Sequence, residues 1–196
     1  RQLLDDEPAE HAAEQDRAFF AAWAECWRQL TRTETANAPA IIAKQPGMTS
    51  INTALEGIDP AQVRPHLCWG SWHGPHTTDI PLREIVDNVL TVNAKYLSFE
   101  AANARHEHEW TVWDEVDLPK DRVLIPGVVG HSTNVVEHPE LVAQRIGRFV
   151  QIVGADRVIA STDCGLGGRI HPSLAWAKLN SSQPVLQPLV SDPLPK

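Results

Sequence analysis

Val63-Arg64-Pro65-His66-Leu67-Cys68-Trp69 is an apolar, strand-like run that ends in a glycine and proline loop (Gly70, Gly74-Pro75), and it opens the repeat that decides the fold. Beyond the loop, Leu82, Ile85, Val86, Val89 and Leu90 recur at helical spacing. A strand is expected at about 96–99, a charged, tryptophan-bearing helical segment over 105–116, and another strand over 123–129. Pro139 then stands in the first turn of a helix whose face carries Leu141, Val142, Ile146, Phe149, Val150 and Val153, with Gly154 near its end. A last strand over 158–161 precedes a turn and a short helix around 173–179. Strands alternating with helices in this way predict an α/β fold, a parallel sheet covered by helices.

Chemistry-bearing residues collect where the strands end. Cys68, Glu100 and Cys164 each follow an apolar run, and with Gly127 of the strand between them they fall about 27 to 37 residues apart, the spacing of barrel units. In a (β/α)8 barrel the functional residues converge at the carboxyl ends of the strands. A doubly wound sheet would also place a site there, but no glycine-rich phosphate loop follows the first strand, so dinucleotide binding has no support. Four strands are legible against the eight of a closed barrel, so the fold expected is a partial TIM barrel of about four βα units.

The site chemistry reads as a zinc centre. His66 and Cys68 are two apart and on a strand point the same way. Cys164 arrives after a later strand as a third soft ligand, and Glu100 is placed to be a displaceable fourth. Zinc accepts these donors, and a catalytic site keeps one position for substrate. Trp69 and Trp72 stand beside this cluster as pocket walls, whereas Trp110, Trp113 and Trp176 read as ordinary core aromatics. Cys26 falls among Trp23 and Trp27 and reads as core, and His106 and His108 fall in what reads as a solvated helix start.

The flanks and the composition bound the rest. Residues 1–47 form a divergent segment with a helix-like piece over 7–30, residues 48–180 hold the βα units, and 181–196 make a proline-rich tail not expected to be helical. With 17 basic against 25 acidic residues, the net charge of -8 argues against nucleic acid. No apolar stretch is long enough to span a bilayer. Three cysteines are too few for a secreted disulfide framework, and no leader pattern stands at the amino end, so a cytoplasmic setting is expected.

Several blocks in one order carry a resemblance: Arg64-Pro65-His66-Leu67-Cys68-Trp69-Gly70, Gly74-Pro75-His76 with Asp79-Ile80-Pro81-Leu82, Leu97-Ser98-Phe99-Glu100-Ala101-Ala102-Asn103 with Arg105-His106-Glu107-His108-Glu109-Trp110, Pro126-Gly127-Val128-Val129, and Asp163-Cys164-Gly165. Over 51–179 the chain resembles the cobalamin-independent methionine synthase superfamily, in particular its epoxyalkane:coenzyme M transferase-like branch. The resemblance implies a TIM barrel whose one zinc binds a small thiol as thiolate for attack on an alkyl donor, by epoxide opening with coenzyme M or methyl transfer to homocysteine. The family's metal ligands fall on His66, Cys68, Glu100 and Cys164, and Asn103, Arg105 and His106 are implied at the pocket mouth. Asp163 is counted with the pocket residues, orienting a ligand or simply ending a strand.

The resemblance covers only the carboxyl-terminal half of the family's barrel. Where relatives usually carry an acid after Pro126-Gly127, this chain has Gly130-His131, and His131 is a candidate proton donor because histidine titrates nearest neutrality. Ser71 and His73 replace the branch's usual Asn and Glu. The strands that help bind the electrophile are not recognisable, which leaves two expectations: an enzyme of thiol alkylation, or a catalytically empty zinc-binding half-barrel, a remnant or a subunit completed by another copy or another chain.

Overall fold

A computed structural model describes residues 46–70, 76–77, 79–167 and 170–191, with the backbone alone for 46–47 and 183–191. The expected helix over 7–30, Cys26, Ser71, Trp72 and His73 lie outside these residues. The elements are α1 (Pro46–Ala54), β1 (His66–Leu67), α2 (Leu82–Leu90), β2 (Tyr96–Phe99), α3 (Val112–Glu115), β3 (Val123–Val129), α4 (Pro139–Val153), β4 (Ser161–Thr162) and α5 (Pro172–Ser191). None of the described helices is long and apolar enough to cross a membrane.

The four strands among the described residues are all parallel and pair in the order of the chain, β1-β2-β3-β4. A doubly wound sheet reverses its strand order at a switch point, whereas a barrel keeps adding strands on one side. The chain is therefore an α/β protein with TIM-barrel-type winding over four strands. β3 is buried along its whole length, as befits a parallel strand covered on both faces. Val128 and Val129 pack with Val142 and Ile146 of α4, each such side chain contributing roughly 1.5–3 kcal/mol on burial. Phe99 stacks on Trp113 at 4.4 Å and meets Phe149 edge-on at 5.5 Å.

α4 starts where the sequence places it. Pro139 sits in the first turn, His138 Nδ1 accepts from the Glu140 amide at 3.2 Å, and Gly154, at φ 86°, terminates the helix. The strands at either end of the sheet are shorter than the apolar runs suggest. Before β1, the carbonyls of Val63 and Pro65 still accept from Tyr96 and Ser98, but Pro65 has no amide to donate. Val158 makes an isolated bridge to Leu124 before β4 begins.

Two expectations are corrected. α5 runs to Ser191 through Pro184 and Pro188, so the tail is helical where a break was expected. The hydroxyls of Ser181 and Ser182 donate to the carbonyls of Lys178 and Leu179 at 2.8 and 2.7 Å, back-bonding within the helix just before Pro184. Trp176 is 66% exposed rather than core, while Trp113 is buried as expected.

Two compact units can be drawn. One comprises 1–58 and 84–93, of which 46–58 and 84–93 are described; Asn52 there bonds the Thr91 carbonyl and the Asn93 amide at 2.9 and 2.8 Å. The other comprises 59–83 and 94–196 and holds the whole sheet.

At Gly127 a Cβ would overlap the backbone and carboxylate of Asp163. The variant Gly127→Ala is accordingly expected to lose about 2–4 kcal/mol of stability by denaturant unfolding, with a matched Gly147→Ala, where nothing stands within 4 Å of the added carbon, losing none.

Candidate metal and thiol site

The register of the sheet builds the site. His66 lies opposite Ser98 and Leu67 opposite Phe99, so Cys68 and Glu100 emerge side by side as the next pair. His66 Nδ1 stands 2.9 Å from Ser98 Oγ, which leaves Nε2 as the nitrogen for a ligand. β4 brings in Cys164 from the far side of β3. One donor atom from each of His66, Cys68 and Cys164 lies within 4.8 Å of the other two. Two sulfurs and an imidazole nitrogen at this separation suit zinc, and among the described residues this is the one group of its kind.

Glu100 is adjacent to that trio but not part of it. Its Oε1 accepts from the Cys68 thiol at 3.1 Å, and its Oε2 accepts from Asn103 Nδ2 at 3.0 Å. Burial, reinforced by the charge and hydrogen bond of Glu100, pushes the Cys68 thiol up to about 12, against the opposing Gly70 amide 3.2 Å from Sγ. Desolvation lowers His66 below its ordinary value more than Glu100 raises it, with Arg64 adding to the lowering. A neutral imidazole is the form that ligates a metal.

Asp163 is fully buried beside Cys164 and engages the backbone. Its Oδ1 accepts from the amides of Ala101 and Ala102 at 2.8 and 2.9 Å, and its own amide donates to Val129 at 2.9 Å. The carboxylate thus ties the end of β4 to the turn that carries Glu100 and Asn103, while its Oδ2 is buried without a hydrogen-bond partner. Burial raises its pKa to about 7 despite those two amides; Glu100 adds to the rise and Arg145 opposes it.

The pocket residues separate by environment. Asn103 and His106 are buried, Arg105 is half-buried with Nε and Nη2 lacking hydrogen-bond partners, and His108 is exposed. His106 is therefore no part of a solvated helix start. His131 is fully buried two residues beyond β3. Trp69 stacks on His106 and donates Nε1 to the Ile80 carbonyl at 2.7 Å. The residues that sequence reasoning left without a role are Asp79 and Glu109, which bond His106 from both sides. Their only signal was membership in the matching blocks, because neither the proline-flanked stretch around Asp79 nor the short 3-10 turn around Glu109 has periodicity to read.

No family model matches the chain. It is similar to 2-hydroxypropyl-CoM lyase of Xanthobacter autotrophicus, 28% identical over an alignment 142 residues long that covers 60% of this chain and 38% of that protein. A B12-independent methionine synthase from a Shewanella species, solved in complex with selenomethionine, shares the fold at a TM-score of 0.60 and 17% identity, covering 79% of this chain and 47% of that one. The chain thus spans less than half the length of either. A TIM-barrel-type chain with a His-Cys-Cys group at its strand ends is the class defined by fold and site. Within that class, the chain resembles, over part of the barrel, the methionine synthase-like superfamily that includes the coenzyme M branch.

Asp163→Asn keeps the Oδ1 acceptor and Asp163→Ala removes it, so in unfolding experiments on metal-free protein the alanine variant should fall about 1–3 kcal/mol below the asparagine variant. Because burial raises the folded pKa of Asp163 to about 7 from the ordinary 3.8, the native state binds the extra proton between these values. The stability of the wild type relative to Asp163→Asn should therefore decline as pH rises through that window; a rise would contradict the burial argument.

Proposed function

We propose that this chain activates a small thiol for alkylation at a zinc ion held by His66, Cys68 and Cys164. The carrying observation is the mutual approach of those three donor sets within 4.8 Å at the ends of β1 and β4. A bound zinc would supply the charge that turns a thiol, ordinarily of pKa about 8.5, into a thiolate. Glu100, fastened by Asn103 and adjacent to the Cys68 sulfur, is proposed as the carboxylate that yields its place to the incoming sulfur. Gly70 offers an amide to the Cys68 sulfur. Trp69, Asn103 and Arg105 are proposed to border the thiol, and His131 to supply a proton to the alkylated product. The substrates proposed are a coenzyme M- or homocysteine-like thiol with an epoxide or methyl donor, in a cytoplasmic setting.

A second reading takes the chain as a zinc-binding half-barrel completed by another copy or another chain. The four parallel strands among the described residues favour it, since alkyl transfer needs an electrophile held in line with the sulfur. On this reading thiol binding survives without turnover.

Purified protein is expected to carry about one equivalent of zinc, and Cys68→Ser or Cys164→Ser to lose nearly all of it. Less than about half an equivalent in the wild type would count against the site. Adding 2-mercaptoethanesulfonate should release about one proton per zinc. Turnover with that thiol and an epoxide should be very weak for the chain alone; robust turnover would overturn the half-barrel reading.

A further inference from the structure

Outside the metal cluster, the described residues contain a continuous relay of ionisable groups centred on the buried His106. His106 Nδ1 stands 2.9 Å from Glu109 Oε2, and its Nε2 stands 3.0 Å from Asp79 Oδ2. Both carboxylates are committed further. Glu109 Oε1 accepts from the Leu82 amide at 2.7 Å, and Asp79 lies 2.8–2.9 Å from His76 Nδ1. A carboxylate accepts and does not donate, so a ring with a carboxylate at each nitrogen must donate from both. His106 is then an imidazolium, although it is buried.

The ring also has a face to use. Its centroid lies 4.0 Å from that of Trp69, with 15° between the planes. A cation held over an indole is attracted by the ring quadrupole, the more so out of water. The other side of the anchorage is the Trp69 Nε1 bond to Ile80. Trp69 is the residue after Cys68, and Gly70, at φ 93°, follows and turns its amide onto the Cys68 sulfur.

We infer that His106 is a charged positioning residue, which clamps Trp69 by stacking on it and so holds the Cys68–Gly70 turn and its amide-to-sulfur contact in place. It touches no reacting atom. The inference deepens the thiol-site reading, since it concerns the same turn, but it needs no metal to be tested. The groups facing His106 are Glu109 and Asp79, with His76 beyond Asp79. On its own segment Glu107 is committed to Arg145 and Arg148, and His108 is exposed. Burial works against the charge, but the hydrogen bonds and charges of Glu109 and Asp79 together outweigh it and raise the His106 pKa.

Two measurements on the full metal-free chain test this. The first is nitrogen-15 NMR of the histidine rings at about pH 7.5, where an ordinary histidine is mostly neutral; both nitrogens of His106 should be protonated, and a neutral tautomer would overturn the inference. The second is the rate of iodoacetamide alkylation, resolved by peptide mass spectrometry into Cys68 and Cys164. In His106→Gln the Cys68 rate should fall about tenfold, because the Gly70 amide no longer stabilises the thiolate, with Cys164 within about twofold of wild type. An equal change in both cysteines, no change in either, or a faster Cys68 would overturn it, because general loosening does not select one sulfur. Should His106→Gln fail to fold, Glu109→Gln keeps the ring while removing the Nδ1 acceptor's charge, and the same selective change is expected. Absence of bound zinc in the wild type would defeat the thiol-site reading without touching either measurement.

Discussion

The carboxylate of Asp163 is the interaction on which the site depends. Its single oxygen Oδ1 accepts two backbone amides from the turn after β2, so the strand that delivers Cys164 is fastened to the turn that delivers Glu100 and Asn103. Between them runs β3, and the crossing is possible only because residue 127 is glycine. On the other flank, the β1–β2 register sets Cys68 beside Glu100. Three strand ends are thereby joined by one buried acid and one strand register, and the donor atoms follow from that joining.

Around this frame the charges are organised in pairs that keep the strand-end turns in place. Arg145 of α4 reaches the carbonyls of Val128 and Ala102 and the carboxylate of Glu107. Lys178, fully buried on α5, bonds Glu137, whose other oxygen accepts from the Gly130 amide at 2.8 Å. A buried pair of this kind is costly to break, because removing one partner strands the other charge in a dry environment. His106 with Asp79 and Glu109 does the same for the turn after β1.

Much of this was legible in the chain. Strands β2 and β3 and helices α2 and α4 stand where apolar spacing puts them, since long periodic segments report their own burial. The His66, Cys68 and Cys164 cluster was legible because soft ligands at strand ends have few other uses. Less could be read where structure comes from side chain to backbone bonds. Asp79 and Glu109 have no periodic signature, because their role arises only when two distant segments meet. Trp176 misled because an aromatic residue at helical spacing is usually buried, and here it faces solvent.

The central claim is that this frame presents a zinc-thiolate centre with a replaceable carboxylate. X-ray absorption at the zinc edge of the purified chain, before and after addition of 2-mercaptoethanesulfonate, tests it most directly. The account predicts a shell of two sulfurs with nitrogen and oxygen donors, which gains a third sulfur and loses an oxygen when the thiol is added. A shell without protein sulfur, or one that the thiol leaves unchanged, would contradict it.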